Sequence, residues 1–81
     1  MVEVHLWGNL KVAAGGLSSV KVEAKTIKQM FKGLEKQFPA LKHYLDQGPA
    51  VSIDGEIYQD NWFKKISPED DIHILPRFTG G

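Results

Sequence analysis

The chain of 81 residues contains no cysteine. That excludes a disulfide framework, a thiolate nucleophile and a cysteine metal site. A small fold without disulfide staples fits a reducing compartment, so the expected location is cytoplasmic. An excess of one charge is also missing. Ten basic and ten acidic residues cancel, which leaves none of the basic field that a nucleic-acid binder needs. No apolar run approaches the length of a membrane span. The start, Met1-Val2-Glu3-Val4-His5, has no basic region followed by an apolar stretch, so neither a signal peptide nor a membrane partner is expected. Repeats, linkers and low-complexity segments are lacking. Catalytic groupings are thin as well. Ser18, Ser19, Ser52 and Ser67 have no histidine at a telling spacing. Gly15-Gly16 precedes a strand-like run instead of opening a helix, so it does not form a phosphate cradle. His5 and His73 would share a face if the first and last strands were neighbours. Zinc sites want three or four ligands, however, so these two and His43 read as surface histidines and no metal is expected. Glu69-Asp70-Asp71 reads as a solvated turn and not as an acid/base pair.

What is present is a short run of regular elements. A chain of this length is one domain, and it buries somewhat more than about 60% of its unfolded surface. Residues 2 to 7 alternate, with Val2, Val4 and Leu6 on one face of a strand. Asn9 to Gly16 reads as a loop with two glycines able to take positive φ. Residues 19 to 24 alternate again, with Val20, Val22 and Ala24 inward, which suggests a hairpin with the first strand. Thr26-Ile27-Lys28-Gln29 has the spacing of a capping box and opens a helix. Ile27, Met30, Phe31, Leu34 and Phe38 form its apolar stripe. Gly33 interrupts it at a cost of about 1 kcal/mol relative to alanine. Pro39 ends the helix by pushing the residue before it out of the α region. Ala40 to Asp46 suits one more helical turn, with Leu41, Tyr44 and Leu45 as its apolar side. Residues 50 to 53 form a strand, Asp54-Gly55 a hairpin turn, and Glu56 to Gln59 a short return strand. Asp60 to Lys65 has no clear element, and Trp62, Phe63 and the following Ile66 suggest that it packs down. Residues 72 to 75 form the last strand.

The order is strand, strand, helix, strand, short strand, strand. One amphipathic helix covering one face of a mixed sheet makes a two-layer α+β domain. This is the order of the β-grasp, or ubiquitin-like, fold. The expected sheet has four to five strands, with the first and last strands side by side at its centre. The domain would occupy residues 1–76, and residues 77–81 would form a flexible tail.

Away from the helix, His5, Trp7, His73 and Leu75 alternate out of the core. Two readings of Trp7 stay open: a partner-binding aromatic on an exposed face, or a ring tucked under a loop at the sheet edge. Phe78 has no core position by strand periodicity, so it joins Trp7 and Leu75 as a partner-binding candidate. Pro76-Arg77-Phe78-Thr79-Gly80-Gly81 would reach about 20 Å if extended. A Gly-Gly ending is thin and unhindered around its last carbonyl. It could enter a narrow channel and present a carboxylate. Taken alone, a frayed terminus is the plainer reading.

Taken together, the motifs resemble the small sulfur-carrier family of the ThiS/MoaD type. Residues 4 to 16, Val-His-Leu-Trp-Gly-Asn-Leu-Lys-Val-Ala-Ala-Gly-Gly, are similar to its opening strand and Leu-(Arg/Lys)-x-x-Ala-Gly loop. Thr26-Ile27 with Leu34 and Pro39 resembles its helix. Val51-Ser52-Ile53-Asp54-Gly55 resembles its Val-x-Ile-Asn-Gly turn. Ile66-Ser67-Pro68-Glu69-Asp70-Asp71-Ile72, Leu75-Pro76 and Gly80-Gly81 resemble its ending. The length is closer to the molybdopterin synthase small subunit than to the thiamin carrier, and residues 56–63 depart from both. The resemblance implies that an E1-like adenylating enzyme uses ATP to activate the Gly81 carboxylate. A sulfur donor would then convert it to a thiocarboxylate for a sulfur-accepting enzyme of the molybdopterin synthase large subunit type. Gly81 would be the reacting position, and Arg77, Phe78, Thr79 and Gly80 the tail that presents it. The protein would be a co-substrate and not an enzyme, with no bound cofactor. A ubiquitin-like modifier conjugated through Gly81 and a passive β-grasp binding domain are the alternatives.

Overall fold

A computed structural model of the chain describes residues 1–75. The tail expected over residues 77–81, with Pro76, lies outside the described residues. The strands are β1 (Val2–Leu6), β2 (Ser19–Val22), β3 (Ala50–Ile53), β4 (Glu56–Tyr58) and β5 (Ile72–Leu75). They form one sheet in the order β2-β1-β5-β3-β4. The β1–β5 pair is parallel, and the other three pairs are antiparallel. The first and last strands are therefore neighbours, and β5 holds the centre, as expected of a β-grasp domain.

Alternation decides what each strand buries. Val2, Val4 and Leu6 of β1, Val20 and Val22 of β2, Val51 and Ile53 of β3, and Ile72 and Ile74 of β5 all point to one side and are buried. Against that side lies the main helix, Ile27–Gln37. Its stripe of Ile27, Met30, Phe31 and Leu34 is buried, and Phe38 is half-buried against the same core. At its start the Thr26 hydroxyl accepts the Gln29 N–H at 3.2 Å. The Gln29 side chain reaches back, accepting the Lys25 N–H at 2.8 Å, one residue before the cap. At its end Phe38 is extended, with φ −133 and ψ 86. A 3-10 turn (Pro39–Leu41) and a single α turn (Lys42–Leu45) follow. They bury Leu41 and Leu45. Gly33 sits where the helix crosses β2: a Cβ there would run into Cγ2 of Val22.

Two expectations need correction. The segment Asn9 to Gly16 is not all loop, because residues Asn9–Ala13 form a short helix. We number it α1, the main helix α2 and the Lys42–Leu45 turn α3. Leu10 and Ala14, four apart, are both buried at its base. Its end is a Schellman motif: the Gly16 N–H donates to the Lys11 carbonyl at 3.0 Å and the Gly15 N–H to that of Val12 at 3.1 Å. Both glycines have positive φ, which that ending needs at Gly15. Five residues are too few for a 3.6 period to show. The second correction concerns Phe63. Ile66 is buried, and Trp62 meets Phe31 edge-on at 5.3 Å, but Phe63 is 76% exposed. Lys28 places its ammonium 5.6 Å from that ring instead. The Asp54-Gly55 turn is as expected, with φ of 52° and 89° in the primed hairpin geometry.

Candidate docking face

The side of the sheet turned away from α2 carries the remaining side chains. Register builds it in rows. His5 of β1 lies opposite Ser19 of β2 and His73 of β5, and His73 lies opposite Ser52 of β3. Ser52 in turn lies opposite Ile57 of β4, which is 59% exposed at the edge. One step further along, Leu75 pairs with Ala50. Parallel pairing of β1 with β5 is what brings residues from opposite ends of the sequence onto one patch.

Trp7 is the aromatic of this patch. It follows the last residue of β1 and is 52% exposed, so it does not tuck under a loop. It is held in place nonetheless. Its indole Nε1–H donates to Nδ1 of His73 at 3.0 Å, and the two rings stack with centroids 5.9 Å apart. His73 in turn stacks on His5 at 4.6 Å, with an interplanar angle of 21°. Nε2 of His73 lies 3.0 Å from Oδ1 of Asp71. Three rings in a row with one fixed hydrogen-bond direction make a rigid, partly apolar surface. Leu75 is half-buried on the same side.

This patch gathers Trp7 and Leu75, two of the three partner-binding candidates. The third, Phe78, lies outside the described residues, as do Arg77, Thr79, Gly80 and the expected reacting position Gly81. The structure adds His73 and Asp71, which the sequence reading had set aside. The available signal was that His73 shares the alternation phase of Leu75. What ties it to Trp7 is the β1–β5 pairing, and no local spacing encodes that.

A second surface feature lies on the opposite layer. Phe31, Leu45 and Trp62 floor a groove of about 460 Å³ between α2, α3 and the 60–64 segment, with Lys28, Lys32 and Lys42 at its rim. Lys42 is engaged: its ammonium meets Asp46 at 2.9 Å. That hydrogen bond and charge hold its pKa above the ordinary lysine value. Among the described residues no buried side-chain polar atom lacks a partner, and no helix is long and apolar enough to cross a membrane.

By sequence, no protein-family model and no curated protein matches the chain. Solved structures do. A chain of the BexX/CysO complex of Amycolatopsis orientalis superposes with a TM-score of 0.80 at 21% identity, covering 100% of both chains. The small archaeal modifier protein 1 of Methanosarcina acetivorans does so with a TM-score of 0.81 at 24% identity, over 99% of this chain and 95% of that one. A chain of the complex between subunits 1 and 2 of the Helicobacter pylori molybdopterin-converting factor follows, with a TM-score of 0.67 at 24% identity, over 99% and 97%. At these identities the likeness shows the fold, and the fold is β-grasp.

Proposed function

We propose that the protein is a sulfur carrier whose reactive group is the Gly81 carboxylate. An E1-like enzyme attacks ATP with that carboxylate, forming the acyl-adenylate and releasing pyrophosphate. A sulfide-level donor then attacks the acyl carbon. The C–S bond forms, the bond to AMP breaks, and a thiocarboxylate remains. A biosynthetic enzyme of the molybdopterin synthase large subunit type takes the sulfur. Adenylation is needed because a bare carboxylate has no leaving group. Two glycines suit the reaction because nothing branches from the backbone beside the attacked carbonyl. The protein is a co-substrate and supplies no catalytic side chain.

One observation carries this reading. In sequence the central strand β5 ends six residues before Gly81, and its His73 holds an exposed Trp7 on the face of the sheet. A partner docked on that face would have the following six residues, about 20 Å at full extension, within its reach. The superposition on a chain from a two-subunit molybdopterin-converting factor supports a protein partner of that kind. A second reading, conjugation of Gly81 to lysines as a modifier, is favoured by the superposition on the archaeal modifier protein.

Intact mass spectrometry separates these readings. Untagged protein incubated with an adenylating enzyme, ATP and a sulfur donor is expected to exchange one oxygen for sulfur within the Gly81 peptide. A ladder of conjugates in lysate, without thiocarboxylate, would favour the modifier. One residue added after Gly81 blocks both reactions. Full activity of such an extended chain would refute both and leave a passive binding domain.

A further inference from the structure

We infer that His5, Asp71 and His73 form a binding site for a first-row divalent transition-metal ion, of which zinc is the type. His5 and His73 are register partners on parallel strands, so both imidazoles leave the same face of the sheet. Asp71, two residues before His73, lies at the mouth of β5. Its Oδ1 is 3.0 Å from His73 Nε2 and 3.9 Å from His5 Nε2. One ligand atom from each of the three residues lies within 4.8 Å of the others.

Those separations can be compared with what an ion requires. Zinc binds imidazole nitrogen at about 2.0–2.1 Å and carboxylate oxygen at about 2.0–2.2 Å, usually tetrahedrally. Ligand atoms of such a tetrahedron stand roughly 3.3–3.5 Å apart. The Asp71–His73 separation is already near that value. The others must close by up to about 1.5 Å, which rotation of the exposed Asp71 and half-buried His5 side chains can supply. The backbone of Asp71 is clamped: its N–H donates to Asp54 Oδ1 at 2.8 Å, and its carbonyl accepts the Asp54 N–H at 3.0 Å. Glu3 stands on the same face with Oε1 4.0 Å from His5 Nε2. It or a water completes the fourth position. Two nitrogens and one or two carboxylate oxygens favour zinc, cobalt, nickel or copper over magnesium or calcium.

The surrounding hydrogen bonds give the site a signature. Trp7 donates to Nδ1 of His73, so in the neutral ring the proton sits on Nε2 and points at Asp71. A metal on Nε2 moves that proton to Nδ1. Two N–H groups then face each other, and Trp7 must let go. The Trp7 hydrogen bond and the ion therefore exclude one another. Ion binding releases the indole from His73 on the docking face.

The test uses the untagged full chain and zinc chloride alone, read by calorimetry, with cobalt chloride read by visible absorption. We expect one saturable equivalent, four-coordinate cobalt bands, and a change in indole fluorescence that Trp7→Phe abolishes. His5→Gln, Asp71→Asn and His73→Gln should each weaken zinc binding by about tenfold or more. His43→Gln should leave it unchanged. Trp7→Phe should tighten it, because it removes the bond that competes with the ion. Absence of saturable zinc binding would overturn the proposal. So would zinc affinity in the three ligand variants unchanged from that of the unmutated chain. Nitrogen-15 shifts of the His5 and His73 rings in the unmutated chain provide a check that does not depend on any variant folding. Unmoved Nε2 resonances at saturating zinc would overturn the site as well.

Discussion

Replacing Gly33 by alanine tests how closely α2 packs on β2. In an isolated helix the change would help by about 1 kcal/mol, because glycine is the poorer helix former. Here the added methyl meets Val22 Cγ2. Val22 is 3% exposed and β-branched on a paired strand, so its side chain has little room to turn. Either the helix lifts or the valine leaves its rotamer. Forcing a methyl into a packed core costs about 1–3 kcal/mol. The net expectation is a loss of up to about 2 kcal/mol. The midpoint corresponds to a fall in Tm of about 4–8 °C for a domain of this size. Urea denaturation of the single and double variants is the assay. Val22→Ala alone removes two buried methyls and should cost about 2 kcal/mol. Combined with Gly33→Ala, the new methyl occupies the vacated space. The pair should then be more stable than the sum of the singles by about 1 kcal/mol or more. If Gly33→Ala stabilises the protein by its full propensity gain, or the two changes simply add, the close approach is not what the glycine serves.

Two further stability measurements address the helices α2 and α1. Thr26→Ala removes the hydroxyl that accepts the Gln29 N–H and should cost about 1 kcal/mol in urea denaturation, whereas Thr26→Ser should retain most of it. Leu10→Ala should cost about 2–5 kcal/mol, because Leu10 is 0% exposed. Val12→Ala on the same short helix should stay within about 0.5 kcal/mol, since Val12 is 75% exposed. Equal effects at these two positions would mean that α1 is not anchored through Leu10.

Most of the β-grasp domain could be read along the chain because its signals are local. Alternation in residues 2–6, 19–22 and 72–75 has a period of two, and the α2 stripe has the helical period over eleven residues. The Thr26 cap and the Asp54-Gly55 turn depend on neighbours three residues apart or less. The order of these pieces is that of a β-grasp, and from it the first and last strands were expected side by side, as they are. The local signal failed where an element was short or exposed. α1 has five residues, less than a turn and a half, so burial of Leu10 and Ala14 could not be told from a loop. Phe63 is apolar, but its neighbour Trp62 takes the contact with Phe31.

The candidate sites divide in the same way. The Gly80-Gly81 pair is read from the sequence alone, and so is the lack of any cysteine. The position of Trp7 is not. Whether that ring lies buried or open depends on His73, sixty-six residues away, whose Nδ1 holds the indole on the face of the sheet. The meeting of His5 with Asp71 and His73 is likewise a product of the parallel β1–β5 register. A period or a cap is written in a few adjacent residues. A cluster drawn from both ends of a chain exists only once the strands between them have paired.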